Sequence, residues 1–300
     1  MNKPATILIA FVISIFLISI SYSASAQKIS VQWEELTSED FKDAVEKSQG
    51  VCIIPMGVIE KHGQQLPLGT DVYTSREISI RASKEEYAIV FPFYYTGQIF
   101  EAKQQPGTIA YSNELIFKLL DETCKEISRN GIKKIIIVNG HGGNNNFVRY
   151  FGQIQLESPR DYAVYLYTPE PDAESQKKIA ELRSSKTGGH ADEVETSVML
   201  AVRPDLVKIK RAKAESGDDL NRLNVKNAYT GIWWYGKYPN HYAGEASKAK
   251  KEIGEISLSN SVRQLKEMIK AVKEDTQTIK LQNEFFKESE NPLKTQARSK

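Results

Sequence analysis

The sequence predicts an α/β fold with a mostly parallel central sheet covered by helices on both faces. Short apolar, β-branched runs recur at Val51 to Pro55, Ala88 to Phe93, Ile135 to Val138 and Tyr162 to Tyr167, and the stretches between them repeat apolar residues at three and four. Strands that are apolar throughout, not alternating, are buried on both sides, as in a parallel sheet between helices. A length of 300 residues with 40% apolar and 26% charged side chains is ordinary for a globular chain and excludes disorder and fibrous repeats.

Taken in chain order, the first segment is a leader. Lys3 precedes an apolar run from Ala5 to Ile20, and Ala24-Ser25-Ala26 supplies a cleavage site, so residues 1–26 are expected to be a signal peptide and the protein to be periplasmic or secreted. The apolar run is shorter than the ~20 residues that span a bilayer, and no membrane association is expected after cleavage. Export permits a disulfide, but Cys52 lies in a strand-like run and Cys124 on a helix, and two buried thiols are expected.

The Val51 strand leads into Gly57-Val58-Ile59-Glu60-Lys61-His62-Gly63 and Leu66-Pro67-Leu68-Gly69-Thr70-Asp71. Glu60 and His62, two apart, project to one side of an extended segment, and the turn returns Asp71 to the start of the next helix. Two carboxylates with an imidazole suit Zn²⁺, Mn²⁺ or Fe²⁺; alternatively Asp71 is simply a helix cap. Ser112 or Asn113 caps a helix whose apolar residues run from Leu115 to Ile127, and Gly131 ends it. The Ile135 strand then opens into Asn139-Gly140-His141-Gly142-Gly143-Asn144. Glycines around one histidine let a ligand and backbone approach closely, which a core histidine does not need. No Lys-Ser/Thr follows, so a phosphate loop does not fit. The third cluster, Gly189-His190-Ala191-Asp192-Glu193-Val194-Glu195, starts a helix that stops at Arg203-Pro204. His190 and Glu193 share a face, while acidic residues in a first turn also serve the helix dipole. No internal linker divides the chain, so one domain is expected over 27–285, followed by a polar tail over 286–300.

Three of the four histidines thus sit in Gly-rich, carboxylate-bearing settings at predicted strand or helix ends, where open parallel sheets gather function. Such residues suffice for a two-metal site that activates water for hydrolysis. A net charge of +2 supplies no field for nucleic acid.

These motifs, together with Arg203-Pro204-Asp205-Leu206 and Pro106-Gly107-Thr108, resemble the creatininase family over about Trp33 to Glu255. The resemblance implies a three-layer α/β/α domain, a homo-oligomer that is usually a hexamer, and a dinuclear metal centre hydrolysing cyclic amides or related C–N bonds in a small-molecule amide substrate. By position, Glu60 and His141 would bind one metal, His62 the other, and Asp71 would bridge. Where creatininase has a glutamate two residues after the loop histidine, this chain has Gly143, which makes Glu193 the replacement ligand. His190 matches the catalytic histidine that protonates the leaving nitrogen, and Glu195 a catalytic position that orients a ligand or His190. The family's Ser and His before Pro-Gly-Thr are replaced by Ile99 and Ala102, and a tryptophan by Lys186, which implies a substrate other than creatinine. Relatives with this loop include deformylases and peptide-trimming hydrolases, which remain alternatives, as does a metal- or ligand-binding protein without turnover. The aromatic segment from Trp233 to Tyr242 is open to three readings, a pocket lining, an oligomer contact or ordinary packing, and His241 is left unassigned.

Overall fold

A computed structural model describes residues 29–298. The leader over 1–26 lies outside the described residues. The elements run α1 (Ser38–Lys47), β1 (Val51–Met56), α2 (Thr70–Glu85), β2 (Ile89–Val90), α3 (Asn113–Arg129), β3 (Lys134–Asn139), α4 (Asn145–Gln153), β4 (Ala163–Leu166), α5 (Ala173–Leu182), β5 (Gly188–His190), α6 (Glu193–Val202), α7 (Trp233–Lys237), β6 (Ala243–Gly244), α8 (Lys251–Glu274) and α9 (Thr278–Ser289). The main sheet has order β2-β1-β3-β4 and is parallel throughout, while β5 and β6 form a small antiparallel pair.

The period-two geometry of β1 divides its apolar residues between two cores. Cys52, Ile54 and Met56 face Leu120, Cys124 and Ile127 of α3 and Phe151 of α4. Val51 and Ile53 face the other layer, with Ala82 of α2 and Val262, Leu265 and Ile269 of α8. The chain is therefore a three-layer α/β/α fold. Both cysteines are free and buried in the same core. Ser112 caps α3, its hydroxyl accepting from Leu115 N.

Two expectations change. The strand expected from Ala88 to Phe93 contracts to Ile89–Val90, because Pro92 has no N–H for the ladder and Phe93 is 50% exposed. The boundary expected after residue 285 falls inside α9, which continues to Ser289 and is tied to the body by Gln282 Nε2 donating to Tyr162 O at 3.1 Å. No helix among the described residues is long and apolar enough to cross a membrane.

Candidate active site

Three loops at the carboxyl ends of β1, β3 and β5 converge. Beyond β1, Glu60 N donates to Leu68 O at 3.0 Å, closing the loop that returns the chain to α2. Asp71 stands in the first turn of that helix, close to the β3 loop: a Cβ at Gly140 would lie 2.6 Å from Asp71 O. After β3, Asn139 brackets His141, its Oδ1 accepting from His141 N at 3.1 Å and its Nδ2 donating to His141 O at 2.7 Å. At the end of β5, Ala191 adopts a left-handed φ of 55°, a costly conformation for a residue with a Cβ. It is held from both sides, since Ala191 N donates to Glu195 Oε2 and Gln65 Nε2 donates to Ala191 O. That turn presents His190, whose Nε2 donates to Lys61 O at 2.9 Å.

The result is a buried cluster of carboxylates and imidazoles. His141 Nδ1 lies 2.7 Å from Glu60 Oε1 and 3.2 Å from Asp71 Oδ2, and His62 Nε2 lies 3.0 Å from Asp71 Oδ1. Asp71 thus turns one oxygen to each imidazole. Glu60, Asp71 and His141 can surround one ion, and Glu60 also approaches His62 and His190. Glu60 Oε1 and Asp71 Oδ2 are buried and make no well-directed hydrogen bond although the His141 nitrogen stands close to both, and two buried carboxylates crowded this way are expensive unless a cation sits among them.

Electrostatics follow the same map. Burial opposes charge on His62, but Asp71 and then Glu60 outweigh it and lift the imidazole to about 10. Burial likewise opposes charge on His141, and Glu60 and Asp71 raise it well above its usual value. Burial raises Glu60, yet His141, by its charge and its hydrogen bond, holds it well below the usual carboxylate range. His190 goes the other way: burial first, then the charge of His62, lowers it to about 3. A carbonyl only accepts, so the contact with Lys61 O places the His190 proton on Nε2. Its free Nδ1 faces Glu195 Oε2 at 4.0 Å.

Glu60, His62, Asp71, His141, His190 and Glu195 come together as the sequence predicts, but Glu193 does not. Its carboxylate turns back to accept from Ser184 N and Ser185 N, at 2.9 and 2.6 Å. It lies two positions before Glu195, roughly 200° around a helix of 3.6 residues per turn, so the two side chains leave on opposite sides and the backbone amides before β5 claim Glu193. Glu195 is the carboxylate of α6 that lines the pocket.

Two site residues escaped the sequence. Glu101 Oε1 stands 3.8 Å from His141 Nε2, and a Cβ at Gly143 would fall 2.4 Å from that nitrogen and 2.5 Å from Glu101 Oε1. Gly143 is therefore a clearing that Glu101 partly fills. His241 is 2% exposed and contacts Glu60 Oε2 through Nε2. A Trp-Trp run seven residues before a lone histidine carries no periodic signal. Ile99, expected to face substrate, is instead packed against Val58 and Ala102, and Lys186 is exposed.

Above the cluster opens a pocket of about 940 Å³ lined by Gln98, Phe100, Gln104, Phe147, Trp233 and Tyr235 among others. Fold and site together define a parallel-sheet α/β protein with a carboxylate–imidazole centre at its strand ends. The sequence model of the family described as creatininase (creatinine amidohydrolase) matches residues 34–269. The chain belongs to the creatininase family and is a hydrolase of that family. It is 25% identical to the creatinine amidohydrolase of Pseudomonas putida over 191 residues, 59% of this chain and 74% of that protein. It is 29% identical to the mycofactocin precursor peptide peptidase of Mycolicibacterium smegmatis over 161 residues, 52% of this chain and 59% of that protein. A crystal structure of creatininase superposes with a TM-score of 0.69 at 21% identity, covering 82% of this chain and 99% of that one.

Proposed function

We propose that the protein is a metal-dependent amidohydrolase that cleaves an amide C–N bond in a substrate larger than creatinine. The observation that carries this reading is the pair of buried carboxylate oxygens, Glu60 Oε1 and Asp71 Oδ2, crowded together onto the ring nitrogen of His141 without a well-directed hydrogen bond. This donor set fits divalent ions of the Zn²⁺, Mn²⁺ or Fe²⁺ type. Glu60, Asp71 and His141 would hold one, and His62 with the other oxygen of Asp71 a second, with Glu195 as the further carboxylate in place of Glu193. Ions bound there would lower the pKa of a water and polarise a carbonyl.

The chain's own part is proton handling and placement. His190, neutral and fixed by Lys61 O, offers Nδ1 to receive a proton from water and return it to the leaving nitrogen. It must gain the proton before giving it, a base first and an acid second. Glu195 braces the strained Ala191 turn and so sets the ring's position.

The pocket bears on the substrate. Its 940 Å³ and aromatic lining exceed what a small polar ring fills, and no lysine or arginine is found in its wall among the described residues, so away from the centre it offers a phosphate no fixed basic side chain. Size and lining favour, as a second reading, a peptide-like amide of the kind named for the mycobacterial relative.

The test is to measure metal stoichiometry in the purified protein and in Asp71→Ala, then to screen lactams, formamides and short peptides. Stoichiometric divalent metal lost in the variant, with hydrolysis in one class, is expected; no metal in the wild type overturns the reading.

A further inference from the structure

His241 is a fourth histidine inside the cluster, placed by an element the three sequence motifs do not touch. It follows α7, adopts a left-handed φ of 52° and donates its backbone N–H to Tyr238 O at 2.9 Å. Its ring stands edge-on to His190, with centroids 4.5 Å apart. Holding a residue with a Cβ in that conformation costs free energy, and two contacts account for keeping it. On one side Trp234 Nε1 donates to His241 Nδ1 at 2.9 Å. On the other, His241 Nε2 meets Glu60 Oε2.

The chemistry of the donors orders this chain. An indole N–H can only donate, so Nδ1 must present its lone pair and the ring proton must sit on Nε2. Nε2–H then donates to Glu60 Oε2. That contact occupies one oxygen of Glu60 and leaves Oε1 as the one turned to His141 Nδ1 at 2.7 Å. We infer that Trp234 and His241 act as a positioning pair that locks the His241 tautomer and thereby restricts Glu60 to presenting a single oxygen, Oε1, to the metal centre.

The inference rests on the metal-centre reading above, and adds that the pocket wall and the centre are joined: Trp234 belongs to α7, whose Trp233 and Tyr235 line the pocket. Outer hydrogen-bond partners of this kind tune metal affinity roughly 10–100-fold.

Two measurements decide it. Zinc titration of the metal-free protein by calorimetry compares wild type with His241→Leu, His241→Gln and Trp234→Phe, each checked for folding by circular dichroism. Leucine removes both contacts and should weaken zinc binding roughly 10–100-fold. Glutamine retains a donor for Glu60 and an acceptor for Trp234 and should recover much of that loss. Trp234→Phe, which frees the tautomer but keeps the ring, should fall between. Second, imidazole ¹⁵N spectra of the metal-free protein should show His241 protonated on Nε2 alone in wild type, and a mixture of tautomers in Trp234→Phe. Wild-type zinc affinity in a folded His241→Leu, or a wild-type proton on Nδ1, overturns the positioning role. If wild type binds no zinc, the metal reading fails, and the spectra still decide whether the tautomer is locked.

Discussion

At the scale of single residues, neighbours on one short segment do different work. Glu193 and Glu195 both open α6, yet Glu193 accepts from two backbone amides while Glu195 faces the pocket. Glu193→Gln is therefore expected to cost stability, about 1–3 kcal/mol for disturbing a charged acceptor, with metal content retained; Glu195→Gln should lower metal content or turnover with a smaller change in melting temperature. Thermal unfolding and metal analysis of the two variants, side by side, check this. His190→Asn should reduce kcat by roughly 10²–10⁴-fold while leaving the bound metal unchanged, because Nε2 is committed to Lys61 O and the ring contributes a proton site, not a ligand. Loss of metal in that variant would place His190 among the ligands. Motif and spacing make His62, Asp71 and His141 legible in the sequence. They leave the two glutamates of α6 interchangeable, since helical spacing says which residues share a turn and not which way a carboxylate folds back.

At the scale of elements, the start of α6, the helix that carries Glu195, is tied down by a side chain. Asp192 caps α6, accepting from Val194 N and Glu195 N at 3.0 and 3.1 Å, and pairs with Arg183 at 3.0 Å. Asp192→Ala is expected to cost about 1 kcal/mol and, by loosening the turn that carries Glu195, to raise KM or lower kcat; Asp192→Asn keeps the cap and should recover most of the stability. Far from the site, Asp275 joins α8, β4 and α9: its carboxylate accepts from the Thr278 hydroxyl, the Tyr165 hydroxyl at 2.6 Å and Gln277 N at 2.7 Å. The Thr278 hydrogen bond first, then that of Tyr165, holds the carboxyl below its ordinary 3.8. A depressed carboxylate stabilises the fold above the unfolded value and loses that contribution as pH falls below it. Amide exchange in α9 should therefore quicken as pH drops below 3.8, after correction for the intrinsic pH dependence of exchange, and Asp275→Asn should quicken it at neutral pH and remove most of the acid dependence. The β2 strand shows the opposite limit of element reading, for an apolar run of the right composition was cut short by the missing N–H of Pro92.

At the scale of the whole molecule, the wide pocket lies where three strand-end loops meet the aromatic segment around α7. Export and assembly as a homo-oligomer are proposals at this scale. Sedimentation of the mature protein is expected to give a species several times the monomer mass, and a monomer at micromolar concentration would overturn the assembly proposal. Periodicity and composition were enough to give the layered α/β class, because every strand and helix must hide an apolar face and the face's period is written in the chain. Short motifs were enough to give the creatininase family and most of its carboxylates and imidazoles, because each motif carries its turn and its side chains within a few residues. What only tertiary structure decided was which groups finish the centre. Glu101 reaches His141 from 40 positions earlier, and His241, held by Trp234, reaches Glu60 from late in the domain. Contacts across such separations are set by how the layers pack and have no local pattern from which to be read.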